Sequence, residues 1–582
     1  MEKKRPEPYI ERVDDIPVLY GILEQMQLQA ILDRVIKAHG NWQGLSPGGV
    51  IVMWLIHILS EQNHCMEPVE EWVAKHRVTL SRLSGHQIRR LDFSDDRLGM
   101  CLRELSTEAV WHEVEGQLGE TLVRVYELKK ERVRLDATVG TVGHDPAAHS
   151  LFKVGKSKKG SYETQFKLMI ASLDPLGLAM VVDVTSGEKA DDPLYSPSYR
   201  RVKQIMAAGG LLIVGDSKMS AIGMRAEIVA GDDYYLTPLA WRKDEPELLD
   251  ELLTDWQAQG AAAINIFLPQ DMPTDGSQPD PELAIAYGFE VKRQRACVLN
   301  ERTIVWDERL LVIRSHSYTK TMQAGLQTRL TKAETALKQL TPARGRGKRQ
   351  IETEATLLQA IGQIEKKYQV SGFFDYHYEP QVTQRHIRPY KGNPARTERQ
   401  VRYQLTLSRN QAAIDQALFK AGWRIQATNA PSARLALTDA VLAYRDQYLE
   451  ENIFRRLQGK FLSITPVYVQ RDDHARGLFH LLTLGARVLA LGDYLALQAL
   501  AQEGPEAELT GVYRGNPNRG TSRPTTERML KAFEQINLLL IPAELSAQDQ
   551  QLCFVTPLSP VQERILVLLG LPSSLYTALP LA

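Results

Sequence analysis

Hydrophobic positions in residues 1–128 recur at helical spacing. The residues Leu19, Leu23, Met26, Leu28 and Leu32 follow one another at intervals close to one helical turn. The segment "SPGGVIVMWLIHILSEQ" predicts a further helix, and its apolar residues indicate that this helix is buried. No run of alternating apolar and polar residues predicts a strand here. The pattern therefore indicates an all-α N-terminal region over residues 1–128.

From residue 129 to 240 the period changes to that of strands. In "RVRLDATVG" every second residue is apolar, which places Asp136 on the polar face. Two more strands, "TQFKLMIASL" and "LAMVVDVTSG", flank a turn at 174–177, and helices expected at 191–208 and 220–230 alternate with the strands "LLIVG" and "YYLTPLA". This element order is that of a ribonuclease-H-like core. We therefore expect an α/β fold with a mixed five-stranded sheet flanked by helices.

Residues 241–420 interrupt this rhythm and predict a large α+β insertion. Ten acidic residues and no Lys or Arg lie between Asp244 and Glu282, whereas Arg309 to Arg349 contains ten Lys or Arg residues and one acid. Helices are expected at about 318–340 and up to Val370, and strand-like "FFDYHYEPQV" and "RQVRYQLTLS" flank a second basic patch at 385–399. Such length and charge segregation do not suit a sheet connection, so we expect a separate lobe.

The core is expected to resume over residues 421–500. A long helix at about 433–461 has a polar face that carries Tyr444, Glu451 and Gln458. Residues 501–582 are expected to form a helical tail, which ends in two helices after the loop "RGNPNRGTSRP".

Composition says more about the cellular compartment of the protein than about its function. Lys plus Arg and Asp plus Glu both total 70, so net charge indicates neither a nucleic acid nor a membrane partner. The four cysteines, at positions 65, 101, 297 and 553, are too dispersed for a disulfide framework or a zinc motif. The start "MEKKRPEPYIERVDD" lacks a signal core, and the apolar stretch at 48–59 is short for a membrane span of about 20 residues. We expect a soluble protein of the cytoplasm.

Three acidic residues are candidates for a metal site. Asp136 lies on the first strand of the core and Asp216 directly follows the fourth, so their carboxylates converge if those strands are neighbours. Two carboxylates that close repel unless a cation separates them, and oxygen ligands suit Mg²⁺ or Mn²⁺. Glu451 on the long helix is the third candidate. Taken singly, Asp216 could instead cap the following helix, and the other two could be solvated.

The sequence resembles the DDE transposases of insertion sequences, in the IS-four-type superfamily of the ribonuclease-H and retroviral-integrase group. Asp136, Asp216 and Glu451 are similar to the DDE triad, and "ENIFR" resembles the E-x-x-F-R core of one branch. The stretches "GDSKMS", "TSGEKADD" and "WRIQATN" also resemble their counterparts in that family. The resemblance covers most of the chain from about 130 to 570.

The helix signature of the family is matched only in part. Family members carry a Tyr, two residues, an Arg, three residues, the Glu, six residues and a Lys. Tyr444 and Glu451 fit this spacing, whereas Gln447 and Gln458 replace the two basic residues. Because those basic residues are thought to grip the DNA end, this role passes in our interpretation to Arg455, Arg456 or Lys460.

The resemblance implies cut-and-paste transposition. It implies metal-dependent cleavage at element ends and transfer of the freed strands into target DNA, with two Mg²⁺ or Mn²⁺ ions on the triad. It also implies a homodimer on double-stranded DNA that carries terminal inverted repeats, at the bacterial nucleoid, with the N-terminal helices bound to the element end. Affinity is expected from phosphate contacts. The DNA-binding candidates are Arg344, Arg346, Lys348, Arg349, Arg385, Arg388, Lys391, Tyr444, Arg455 and Lys460.

Two other functions stay open at the level of sequence. A non-catalytic descendant could occupy element ends as a repressor, although the three intact carboxylates argue against it. A metal-dependent nuclease could cut DNA without joining strands, and the sequence does not separate this function from transposition.

Overall fold

The computed structural model describes residues 7–157, 160–240, 245–273, 275, 277–343, 345, 350–389, 394–546 and 550–580. Its N-terminal part is a helical body in which the third helix is almost wholly buried. The helices are α1 Ile16–Gln25, α2 Leu28–Val35, α3 Pro47–Glu61, α4 Val69–Lys75, α5 Arg77–Ser84, α6 Asp95–Ser106 and α7 Glu108–Val125. Ser46 caps α3 by accepting a hydrogen bond from the Gly49 amide, and Pro47 occupies its first turn, both typical of a helix start.

A mixed sheet follows the helical body. Its strands and flanking helices are β2 Arg132–Thr141, β3 Lys153–Lys156, β4 Tyr162–Leu173, β5 Leu178–Ser186, α8 Tyr195–Met206, β6 Leu212–Gly215, α9 Ile222–Ala230 and β7 Tyr234–Pro238. The five strands expected from the sequence lie in the order β5-β4-β2-β6-β7. Strands β2, β6 and β7 are parallel, and β4 is antiparallel to both of its neighbours β2 and β5.

The sheet is larger than the five strands predicted. After α10 Glu245–Gln259, the strands β8 Ile264–Ile266, β9 Ala286–Leu299, β10 Arg302–Ser315 and β13 Trp423–Thr428 continue it in the order β7-β13-β10-β9-β8. Strand β3 pairs antiparallel with the first residues of β4, so the described residues form a ten-stranded sheet. The first part of 241–420 therefore extends the core rather than forming a separate lobe, because the inner halves of β9 and β10 carry buried apolar residues such as Phe289, Leu310 and Val312.

The rest of that segment has a core of its own. It consists of α11 His316–Lys338, α12 Glu354–Tyr368, β11 Phe374–Ile387, β12 Arg396–Arg409 and α13 Gln411–Lys420. Leu330, Leu337 and Leu357 of the helices pack there against Phe374 and Leu405 of a two-stranded ribbon formed by β11 and β12. This part is a compact unit outside the sheet.

The long helix expected at 433–461 is two helices, α14 Leu437–Arg445 and α15 Tyr448–Gln458. At the break, the Ala443 carbonyl accepts a hydrogen bond from the Arg134 guanidinium at 2.8 Å. The Gln447 amide donates instead to the Tyr444 carbonyl at 3.3 Å. A continuous helix would pair the Ala443 carbonyl with the Gln447 amide, so the buried arginine accounts for the break.

Helix α16, Asp472–Glu503, crosses the centre of the molecule between the helical body and the sheet. Within the described chain it is the one helix long and apolar enough to cross a membrane, and 83% of its most apolar stretch is buried inside the protein. Its buried residues belong to the main core, together with those of α3, α6 and β5.

The C-terminal tail is not purely helical, and the N-terminal region is not purely α. The tail contains α17 Thr526–Lys531, β14 Asn537–Ile541, β15 Leu552–Val555, α18 Pro560–Leu568 and α19 Ser574–Thr577. Strand β1, Tyr9–Arg12, pairs antiparallel with β14 in a three-stranded sheet, β1-β14-β15. Three of the four residues of β1 are exposed, so its pairing leaves no hydrophobic pattern in the sequence.

Candidate active site

Two of the three predicted carboxylates lie side by side. Strands β2 and β6 are parallel neighbours, and their register ends with Leu135 opposite Gly215. The next residues are Asp136 and Asp216, both half-buried. Neighbouring strands are about 4.8 Å apart, so these two acids meet at the carboxyl end of β6, where sites in such sheets form.

Asp216 is held in place by several donors. Its Oδ1 accepts hydrogen bonds from the Tyr195 hydroxyl at 2.7 Å and the Lys218 amide at 2.9 Å. Its carbonyl accepts from the Thr237 hydroxyl at 2.7 Å. The cap role considered from the sequence is therefore real, although it caps the short turn Ser217–Ser220 and uses only one carboxylate oxygen. Among the described residues no hydrogen bond reaches Oδ2.

A lysine pair linked by a carboxylate borders the two acids. Asp191 accepts from Lys167 at 2.6 Å and forms a second ion pair with Lys218. Desolvation works against the charge of Lys218, but its hydrogen bond to Asp191 and the charges of Asp191, Asp216 and Asp136 raise its pKa. Likewise the pKa of Asp191 is lowered, since hydrogen bonds from the two lysines outweigh its desolvation. Positive charge therefore stands next to the paired acids.

Helix α15 runs alongside β2 in the same direction. Near its start, a Cβ added at Gly177, in the turn next to the beginning of β2, would lie 2.9 Å from the Leu449 carbonyl oxygen. Near its end, the Gln458 amide donates to the Thr138 hydroxyl and the Val139 carbonyl, both at 3.2 Å. Thr138 and Asp136 share one face of β2, so this face is covered by α15.

Glu451 lies on the same side of α15 as Gln458. The two residues are seven apart, or two helical turns, which is about 10.5 Å along the axis. Asp136 lies two residues before Thr138, or about 6.6 Å, so Glu451 is offset by about 4 Å from Asp136 along the strand. In the described residues, however, no three His, Cys, Asp or Glu side chains come close enough to hold one metal ion. The structure brings together Asp136 and Asp216, and Glu451 lies exposed on the neighbouring helix.

Arg134 fixes the helix pair to the strand. Its guanidinium is 1% exposed and donates two hydrogen bonds to Asp174, at 2.8 and 2.7 Å, besides the one to Ala443. Arg132 adds a contact of 3.7 Å to Asp446 at the break between α14 and α15. The polar face of β2 thus positions the helices rather than facing solvent.

A cavity of about 740 Å³ opens beside Asp216, between the sheet and the unit formed by α11 to α13. Its lining combines aromatic and basic side chains: Tyr318, Arg329, Phe373, Trp423, Arg424 and Tyr444. The Arg424 guanidinium lies 4.1 Å from the centre of the Tyr318 ring. Tyr444, a predicted DNA-binding residue, is therefore near the paired acids.

The other predicted DNA-binding residues are spread over two surfaces. Arg455 and Lys460 are exposed on and just after α15, and Arg385 and Arg388 are exposed at the outer end of the β11–β12 ribbon. Arg344, Arg346, Lys348, Arg349 and Lys391 lie outside the described residues. Arg456, considered as a substitute for the basic residues of the family, is half-buried and held in ion pairs with Asp493 and Glu527 at 2.6 and 2.8 Å, so its charge is already engaged.

Sequence reasoning missed four residues next to the acids: Lys167, Asp191, Tyr195 and Lys218. They come from four different elements or loops and meet only through the fold. Two of them lie in stretches that the sequence analysis singled out, Asp191 in "TSGEKADD" and Lys218 in "GDSKMS". Nothing in either stretch predicts that the two side chains pair.

Comparison with known proteins gives three findings. A family model described as a domain of unknown function, DUF4277, matches residues 9–113. No functionally curated protein matches the chain. Among solved structures, a piggyBac transposase, determined as a synaptic complex with hairpin DNA, is similar at a TM-score of 0.25 and 10% sequence identity, over 53% of this chain and 60% of that chain. The similarity thus spans less than two thirds of that transposase chain.

Proposed function

We propose that this protein is a DDE-type insertion-sequence transposase with a ribonuclease-H-like catalytic core. The observation that carries the proposal is the adjacency of Asp136 and Asp216 at the ends of the parallel strands β2 and β6. The strand order β5-β4-β2-β6-β7 supports the core assignment. The motifs around both acids and Glu451 support the family. On this proposal the protein cuts DNA at element ends and joins the freed strands to target DNA.

The donor set suits hard divalent cations. Asp136 and Asp216 offer adjacent carboxylates, and the nearest cation, Lys218, is already paired with Asp191. Asp136, Asp216 and Glu451 are the residues that would hold two Mg²⁺ or Mn²⁺ ions. Bound cations would activate the attacking oxygen and neutralise charge on the leaving oxygen.

The chain's own residues orient the site and bind the substrate. Tyr195 and the Lys218 amide fix the rotamer of Asp216 through Oδ1, so Oδ2 would be the oxygen offered to a cation. Arg455 and Lys460 lie on the same helix end as Gln458 and would contact backbone phosphates, as would Arg385 and Arg388 on the ribbon. Two element ends need two protein copies, so the active form is proposed to be a homodimer on double-stranded DNA, in the cytoplasm.

Replacing each acid by its uncharged amide tests the proposal. Asp136→Asn, Asp216→Asn and Glu451→Gln should each lower cleavage of a duplex that contains the gene with its native flanks by at least about a thousandfold in Mg²⁺, with DNA affinity unchanged. Glu450→Gln is the matched control, because it makes the same change one residue away. Normal cleavage by the Asp136 or Asp216 variant would refute the proposal. Normal cleavage by the Glu451 variant would exclude only Glu451 from the proposed site.

The same assay separates the alternatives. A repressor would bind the flanks, and the wild-type protein would leave them intact in Mg²⁺. A nuclease would cut them but would not join the 3′ ends to a supercoiled plasmid. Joined products with short direct duplications at the insertion point are the result expected of a transposase.

A further inference from the structure

The β11–β12 ribbon stands apart from the large sheet. Its strands pair from Phe374 opposite Arg409 to Ile387 opposite Arg396, and in the described structure neither strand joins another sheet. Only the inner half is anchored. The Tyr376 hydroxyl donates to Glu365 at 2.8 Å, and the Leu405 amide donates to the Thr341 hydroxyl at 3.1 Å.

The outer half projects beyond this anchor. We call residues 381–387 and 396–402 the distal ribbon; seven residues per strand give it a length of about 24 Å. Most of its side chains are exposed, and none belongs to a hydrophobic core. Among residues 381–389 and 394–402 there are five arginines and a single acid, Glu398. The distal ribbon is therefore a positively charged arm.

The two faces of the distal ribbon differ. Directly opposed residues of antiparallel strands point to the same side. On one side, which we call the reading face, Gln381, Thr383, Arg385 and Ile387 oppose Arg402, Gln400, Glu398 and Arg396. Seven of these eight side chains are polar, and Arg402 donates to the Gln381 side-chain oxygen at 2.9 Å. The other side carries the apolar pair Val382 and Val401, besides Gln384 opposite Arg399 and His386 opposite Thr397.

We infer that the reading face of the distal ribbon enters the major groove of duplex DNA and reads base edges there. The inference deepens the proposed function and rests on it, since it assigns to the ribbon part of the sequence recognition otherwise left to the N-terminal helices. The major groove is about 12 Å wide and admits a two-stranded ribbon. Gln and Arg have the donor and acceptor geometry for adenine and guanine edges, and 24 Å of ribbon spans about seven base pairs.

Charge and groove shape favour DNA over other partners. Arg388, just beyond the end of β11, and Arg396, at the start of β12, can contact phosphates beside the groove and fix the register of the ribbon. Duplex RNA has a deep and narrow major groove that side chains do not read. A protein partner would be expected to cover an apolar surface, whereas the reading face offers Ile387 alone.

The test uses two double variants of identical composition. Thr383→Ala with Gln400→Ala removes a directly opposed pair from the reading face, whereas Gln384→Ala with Thr397→Ala removes one Gln and one Thr from the other face. Neither changes charge, so the phosphate contribution stays constant. The wild-type protein first selects its preferred sequence from a pool of duplexes with a randomised core. Dissociation constants are then measured on that sequence and on a scrambled duplex.

The reading-face double variant should lower the preference for the selected sequence by roughly ten- to a hundredfold, with affinity for the scrambled duplex unchanged. The other double variant should keep the wild-type ratio. An unchanged ratio in the first variant, an equal loss in both, or a wild type that selects no sequence would each overturn the inference. If the wild type cuts DNA but the reading-face variant keeps the wild-type preference ratio, this inference fails and the proposed function stands. If the ribbon selects a sequence but the wild type never cuts DNA, the proposed function fails.

Discussion

At the scale of residues, the fold shifts the pKa values of two aspartates in opposite directions. Asp191 has a lowered pKa because Lys167 and Lys218 compensate its desolvation. Asp15, at the start of α1, is 8% exposed, and desolvation raises its pKa to about 7 against the opposing hydrogen bond from Ser60. Asp15 thus holds a proton at pH values at which the unfolded chain is ionised, and stability depends on pH through this residue.

The sign of this dependence can be tested with Asp15→Asn. The raised pKa adds stability below the unfolded value near 4, and this gain is lost as pH rises through about 7. Between pH 5 and 8 the wild type should therefore lose about 2–3 kcal/mol of unfolding free energy that the variant does not lose. The amide oxygen can keep the 2.6 Å hydrogen bond from Ser60. Urea unfolding at pH 5, 6.5 and 8 measures the difference. Asp96→Asn, at an exposed site, is the control; parallel pH profiles for wild type and Asp15→Asn would contradict the assignment.

At the scale of elements, the position of α15 depends on a glycine. Gly177 has φ +61°, and a Cβ there would lie 2.9 Å from the Leu449 carbonyl oxygen, a backbone atom that cannot move without its helix. Gly210 has φ +80°, and a Cβ there meets nothing within 4 Å. The two glycines thus share the left-handed conformation and differ in the contact with α15.

Gly177→Ala should displace the start of α15, including Glu451, and lower DNA cleavage at least tenfold, because misplacement of a reacting group by about 1 Å costs up to a hundredfold. Gly210→Ala adds a similar left-handed strain of about 1–2 kcal/mol and should cleave normally. Cleavage and thermal stability of both variants are compared on the same duplex. Equal cleavage at equal stability would show that α15 does not position a reacting group.

The strands and helices also show how much of the fold can be predicted from the sequence. The strands over 132–238 were predictable because each has its own apolar pattern, whereas the adjacency of the first and fourth was expected only by analogy with a ribonuclease-H-like core. The pairing of β7 with β13 was not predictable, because about 185 residues separate the two strands and no local sequence pattern indicates such a pairing. The pair of Asp136 and Asp216 was predicted from strand order. The partners of Asp216 were not, because Tyr195 and Lys218 reach the site only through packing.

At the scale of the whole molecule, the described chain closes on itself. Strand β1 pairs with β14, and the buried carboxylate of Glu11 accepts from the amides of Val78 and Thr79 at 3.1 and 2.6 Å. These amides belong to the unpaired first turn of α5, so Glu11 joins the helical body to the C-terminal strands. The Tyr576 hydroxyl reinforces this closure by donating to the Asp14 carbonyl at 2.6 Å.

Glu11→Ala should open this closure. It leaves two buried amides without acceptors, at a cost of about 1–3 kcal/mol, and hydrogen exchange over 537–541 should accelerate. Arg12→Ala is the neighbouring control. The Arg12 side chain is 61% exposed, so solvent screens its ion pair with Asp14 and the pair contributes little. Exchange that is unchanged in the Glu11 variant, or equally fast in both, would contradict the proposed link.

The pairing of β1 with β14 also has a consequence in time. About 525 residues separate Arg12 from Asn537, so a ribosome adding about 5–20 residues per second needs about half a minute to two minutes between them. Through that interval the nascent β1 has no partner strand. An unpaired strand invites association with other chains, but β1 has only four residues, which gives neighbouring nascent chains a short edge to pair with.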